Sequence, residues 1–109
     1  MAFDPGLHAL MQADLADHPV IEKKMFGGLA FMLNGHMVSG LHKGGAMYRI
    51  GKDSVATALA MPGVRPMMMS ARKEMKGFFD ADADLMADDA RRLALTRLSL
   101  DFVQTLPPK

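Results

Sequence analysis

The chain has 109 residues, the length of one small domain. Half of it is apolar and 23% is charged, which excludes a disordered tail. Thirteen basic residues against twelve acidic ones leave a net charge of +1 and exclude a strongly basic nucleic-acid wrapper, while the lack of cysteine excludes disulfide frameworks, thiolate metal sites and cysteine nucleophiles.

The N-terminal stretch lacks a basic segment followed by a long apolar run, so it does not read as a signal peptide. No apolar run approaches the ~20 residues that a bilayer span requires. A cytoplasmic protein without membrane contact is the expectation, with one domain over residues 1–109.

Asp4 followed by Pro5 predicts a capped helix start. Leu7, Leu10 and Met11 recur at helical spacing, and His18-Pro19 ends the element. From Val20 to Ile50 the pattern turns to strands, with Ile21 to Met25 as an extended lead-in. Asn34-Gly35 is a strong two-residue hairpin signal, because both turn positions need positive φ. That turn predicts the pairs Leu33–His36, Phe31–Val38 and Leu29–Gly40. Leu29, Phe31, Leu33 and Val38 then share one face, and Ala30, Met32, Met37 and Ser39 the other. A second turn at Lys43-Gly44-Gly45 is read as a three-residue loop that pairs Gly40 with Tyr48 and Val38 with Ile50. It keeps Tyr48 and Ile50 beside Phe31 and keeps Arg49 off that face.

A short helix from Asp53 or Ser54 to about Ala60 stops at Pro62-Gly63. Strands follow at Arg65–Ser70 and Lys76–Asp80. One long helix runs from about Leu85 to Leu106 and ends at Pro107-Pro108. It carries one stripe of Leu95, Leu98, Phe102 and Leu106, and a second of Leu93 and Leu100. The order is α-β3-α-β2-α: an α+β fold, a two-layer sandwich with an antiparallel sheet and helices on one face.

Motifs for chemistry are weak. Met67-Met68-Met69, with Met32, Met37 and Met47, could offer thioethers to a soft ion such as Cu(I). Neighbouring strand residues point to opposite faces, so gap-filling or interface methionines are the preferred reading. His36 and His42, an even number of residues apart on one strand, share a face but lie too far apart to chelate one ion. Gly27-Gly28 and Gly44-Gly45 lack the strand–turn–helix context of a phosphate loop. Asp80, Asp82 and Asp84 lack the glycine and distal glutamate of a calcium loop, and suit a helix N-terminus instead. No serine lies in a nucleophile elbow. The expectation is a protein that is not an enzyme and needs no cofactor and no metal.

The segment Lys24-Met25-Phe26-Gly27-Gly28-Leu29-Ala30-Phe31 resembles the TfoX N-terminal domain family, known from the Sxy competence regulators. The resemblance continues through Asn34-Gly35-His36-Met37, Met47-Tyr48-Arg49-Ile50 and Met75-Lys76-Gly77-Phe78, and ends at Thr105-Leu106-Pro107-Pro108-Lys109. Two features depart from the family pattern. An acidic turn replaces the usual proline after the Lys-Gly-aromatic strand, and the aromatic early in the last helix is absent. The resemblance implies a secretion-chaperone-like α-β3-α-β2-α arrangement. It also implies kinship with regulators of natural transformation that act with the cyclic-AMP receptor protein and carry a second domain. It supplies no catalytic residues.

Three functional expectations follow. The first is a regulatory protein-interaction domain whose partner is a protein such as a transcription factor. Met32, Met37, Leu93 and Leu100 are its contact residues, and a homodimer through these surfaces would bury the second stripe. The second is a small-ligand or metal-binding module, with a pocket between the sheet and the last helix near Tyr48 and Arg49. The third is direct nucleic-acid contact through Arg65, Arg72, Lys73 and Lys76.

Overall fold

The computed structural model describes residues 3–25 and 27–109. Phe26 of the Met-Phe-Gly-Gly segment lies outside the described residues, as does the side chain of Met69.

The first helix, α1, spans Pro5–Asp14. Asp4 caps it by accepting the Gly6 amide at 2.7 Å, which satisfies one of the N–H groups that a helix start leaves unpaired. The strands are β1 (Ile21–Met25), β2 (Gly28–Leu33), β3 (His36–His42), β4 (Gly45–Arg49), β5 (Val64–Ser70) and β6 (Lys73–Ala81). They form one antiparallel sheet in the order β1-β2-β3-β4-β6-β5. A short turn of helix at Lys52–Ser54 leads into α2 (Val55–Leu59), and α3 (Ala83–Ala87) and α4 (Asp89–Val103) close the chain.

The α+β class holds, and the sequence-based order differs from the structure in two places. The lead-in Ile21–Met25 is a full strand in register with β2, so four strands precede α2 rather than three. Its exposed lysines, Lys23 and Lys24, suit a sheet edge that must resist pairing with other chains. The expected long last helix is two helices. Asp82 caps α3 through the Leu85 amide at 2.9 Å, and Asp88 caps α4 through the amides of Ala90 and Arg91 at 3.0 and 3.2 Å. The acidic run is therefore helix-start chemistry.

The hairpins show how the core face is set. Asn34 and Gly35 have φ of 54° and 85°, as a two-residue turn between twisted strands requires. Leu33 faces His36 as expected, but a bulge follows. Phe31 then pairs with Ser39 and Leu29 with Leu41, not with Val38 and Gly40. Val38 is the extra residue, and it and Ser39 are both buried, so Ser39 belongs to the inner face. The second turn is also one residue shorter than expected. His42 pairs with Gly45 around Lys43-Gly44, and Tyr48 pairs with Ser39 rather than Gly40. The two one-residue differences cancel, because side chains alternate with period two. Leu29, Phe31, Leu33, Val38, Tyr48 and Ile50 all end up buried together.

The helices cover this inner face. Met11, Leu15, Leu85, Met86, Leu95 and Val103 join the strand residues in one core. On α4 the buried side is Arg92, Leu95, Thr96, Ser99, Leu100 and Val103, while Leu98 and Phe102 are only partly buried. The helix is thus rotated from the expected stripe toward its polar residues. Beyond α4 the chain returns to the first hairpin, where the Lys109 amide donates to the Asn34 carbonyl at 2.9 Å.

Candidate functional site

The sheet face turned away from the helices carries a broad concavity. Residues pointing there alternate with the core: Met25 on β1, Ala30 and Met32 on β2, Met37 and Gly40 on β3, and Met47 and Arg49 on β4. The β5–β6 hairpin continues past the end of β4 and adds Met67, Met68, Met75 and Phe78. Together they enclose a trough of about 690 Å³, a volume common to binding sites. Seven of the twelve methionines line it. Methionine is unbranched and polarisable, so such a wall can reshape around an apolar occupant. Met67 and Met68 both reach the trough although they are chain neighbours, because β5 is irregular on both sides of Met68.

No aspartate or glutamate is among the described residues of the lining, whereas Arg49 and Lys109 are. Arg49 lies over the rings of Phe78 and Phe102, 5.7 and 5.5 Å from their centres. Among the described residues it has no carboxylate within ion-pair distance. These cation–π contacts hold its position and leave its charge uncompensated.

His42 lies at the rim and is fully engaged. The Gly44 amide donates to its Nδ1 at 3.0 Å, which places the proton on Nε2, and Nε2 donates to Asp80 at 2.7 Å. Asp80 also accepts from Arg65 at 3.2 Å. Neither ring nitrogen is left for a metal ion or for acid–base work. His36 and His42 do not share a face as expected, since the bulge between them shifts the alternation. His36 is on the inner side, where its Nε2 donates to the Pro107 carbonyl at 2.7 Å. Among the described residues no group of three His, Asp or Glu side chains could hold a metal ion.

Beneath the sheet lies a second polar group. Arg92 reaches from α4 to Asp14 of α1 at 2.7 Å, and to Asp89 and the Met86 carbonyl at 2.7 and 3.1 Å. The bond that Arg92 donates to Asp14 raises the Arg92 pKa despite burial, and Asp89 adds to the effect. Burial pushes the Tyr48 phenol far above its ordinary value, against the opposing effect of Thr96, and its hydroxyl donates to the Met86 sulfur at 3.7 Å. Tyr48 and Met86 are both fully buried. The expected pocket between the sheet and the last helix at Tyr48 is therefore not where the concavity lies. The trough is on the opposite face, with Arg49 in its lining.

Of the expected contact residues, Met32 and Met37 lie side by side in the trough, paired across β2 and β3. Leu93 is half-exposed, at 47%, on the flank of α4. Leu100 is only 7% exposed and belongs to the core, so it is not a surface contact. It lies on the side of α4 that also carries Thr96 and Val103, both of them buried. The basic set is dispersed. Arg72, Lys73 and Lys76 are exposed at the β5–β6 tip, while Arg65 is at the other end of that hairpin and pairs with Asp80. The trough as a whole was not legible from spacing, although the Met32–Met37 face was. Met25, Met67, Met68 and Met75 join it only through the sheet order and the irregular β5.

Among the described residues, no helix is long and apolar enough to cross a membrane. A family model described as the TfoX N-terminal domain matches residues 13–103. No curated protein and no solved structure gives a significant match.

Proposed function

The chain belongs to the TfoX N-terminal domain family, and we propose that it is a non-enzymatic regulatory domain that docks a protein partner on the open face of its sheet. The methionine-lined trough carries this reading. A large apolar concavity on one side of a sheet, backed by a complete core on the other, is an unpartnered layer. Flexible thioether side chains suit recognition of a protein surface better than positioning of a reacting group. Both ring nitrogens of His42 at the trough rim are engaged, by the Gly44 amide and by Asp80, which agrees with a binding role. Kinship with the competence regulators makes a transcription factor in the cytoplasm the expected kind of partner.

The test is site-specific photo-crosslinking in a lysate of the native cells. A crosslinker at position 37 should capture a discrete protein, and one at position 93 on α4 should not. Recovery of a transcription regulator would support the regulatory role. Equal labelling from both positions, or none from position 37, would end the proposal.

A further inference from the structure

We infer that the segment docked in the trough is an amphipathic helix whose polar side is acidic. The inference rests on the docking proposal and adds the chemistry of the partner. Three features of the face select this occupant.

The trough lies across the sheet and not along an edge. A docked strand would find no free ladder of N–H and C=O groups there, since β2, β3 and β4 are paired on both sides. A helix needs no such ladder, and the inner face already accepts one, because α4 lies on β3 and β4. The open face presents Met32, Met37 and Met47 on the same three central strands. A helix laid there would complete a three-layer arrangement.

The charged side chains that line the floor are cationic, although Glu74, paired with Met68, points to this side from the far hairpin. Arg49 and the Lys109 side chain line it, and Lys23, paired with Ala30, points from β1 to the same side. Asp80 lies close by, but His42 and Arg65 occupy its two oxygens. An incoming carboxylate would find Arg49, which has no carboxylate partner among the described residues, and an incoming lysine would meet like charge there.

The same charge disfavours a second copy of the chain. Two open faces pressed together would bring two cationic rims into one desolvated interface, which costs free energy. Nor can the exposed side of α4 of another copy fill the trough. Leu93 is its one exposed large apolar residue, and it stands between Asp89 and Arg97.

The test uses designed helical peptides of about 18 residues. One has leucines at helical spacing with glutamates on the other side, and its twin has lysine for every glutamate. Binding to the full chain is read by fluorescence anisotropy at low and high salt. The glutamate peptide should bind at least about fivefold more tightly than the lysine twin, with the gap closing as salt rises. Arg49→Glu should narrow or invert the preference. Equal binding of the two peptides would overturn the acidic-helix inference and leave the docking proposal standing. No binding of either peptide, or binding unaffected by Met37→Asp in a variant with native circular dichroism, would overturn both. Sedimentation showing a dimer that Met37→Asp dissolves would assign the face to a second copy and also overturn the inference.

Discussion

Arg92 of α4 donates to Asp14 of α1 at 2.7 Å, with the two side chains only 5% and 7% exposed. This ion pair joins the first and last helices across the core. Asp89 also contacts Arg92 but is itself largely exposed. The pair is costly to bury and more costly to break, because either partner left alone is an uncompensated charge.

Arg92→Met alone should therefore destabilise the fold by about 3–5 kcal/mol. The double variant Arg92→Met with Asp14→Leu should recover much of that loss, since apolar replacements of such pairs are often tolerated. Urea denaturation of both variants measures the difference. A double variant less stable than the single one would show that the pair itself is net stabilising.

The open and inner faces of the sheet should differ sharply in tolerance. Phe31 is fully buried, and Phe31→Ala should cost about 3–5 kcal/mol. Met37 is half-buried in the trough wall, and Met37→Asp should cost less than about 1.5 kcal/mol. Thermal melts of the two variants decide it. Equal losses would mean that the trough wall belongs to the folding core.

Gly28 begins β2 close against the backbone of Leu41 on β3. A Cβ there would run into the Leu41 carbonyl oxygen, which is backbone and cannot swing away. Gly28→Ala should destabilise by about 2 kcal/mol. Gly44→Ala, whose Cβ would meet only the His42 ring at 3.4 Å, should change stability by less than about 1 kcal/mol. Denaturation midpoints for the two alanine variants give the comparison.

Acid should weaken the fold through two carboxylates. The Arg91 amide and then its guanidinium hold Asp88 below the usual aspartate range. Burial pushes Glu22 up, but hydrogen bonds from Gln12 and His8 outweigh it and leave the group below its ordinary value. Groups lowered on folding add stability above their unfolded pKa values, near about 4. That stability is lost as pH falls through the lower folded values. Melting temperatures from neutral pH to about pH 2 should fall less steeply in Asp88→Asn with Glu22→Gln than in the parent. Parallel curves would exclude both groups as the source.

Much of this fold is legible in the chain, for identifiable reasons. Asp4-Pro5 and Asn34-Gly35 are local signals that tertiary packing did not override. Alternation placed Phe31, Tyr48 and Ile50 inward even though the registers around them differ by one residue. The break at Asp88 was hidden because the apolar pattern runs on through it, and only the cap marks a new helix. Leu100 reads as a second stripe when polar residues are assumed to face solvent. On α4 they do not, since Arg92, Thr96 and Ser99 form the centre of the buried side. Half the trough is legible as the Met32–Met37 face. The remainder depends on β6 lying between β4 and β5, which no local pattern records.

The bulge at Val38 has a consequence for how this strand can change length. Val38 and Ser39 both face inward, and the residues on either side, Met37 and Gly40, both face the trough. Deleting Val38 would leave His36, Ser39 and Leu41 inward and Met37 and Gly40 outward, in regular alternation. Deleting Met37 or Gly40 would instead force a side chain across the sheet or break the pairing. One residue can thus be lost from β3 at this position without exchanging a core side chain for a docking one.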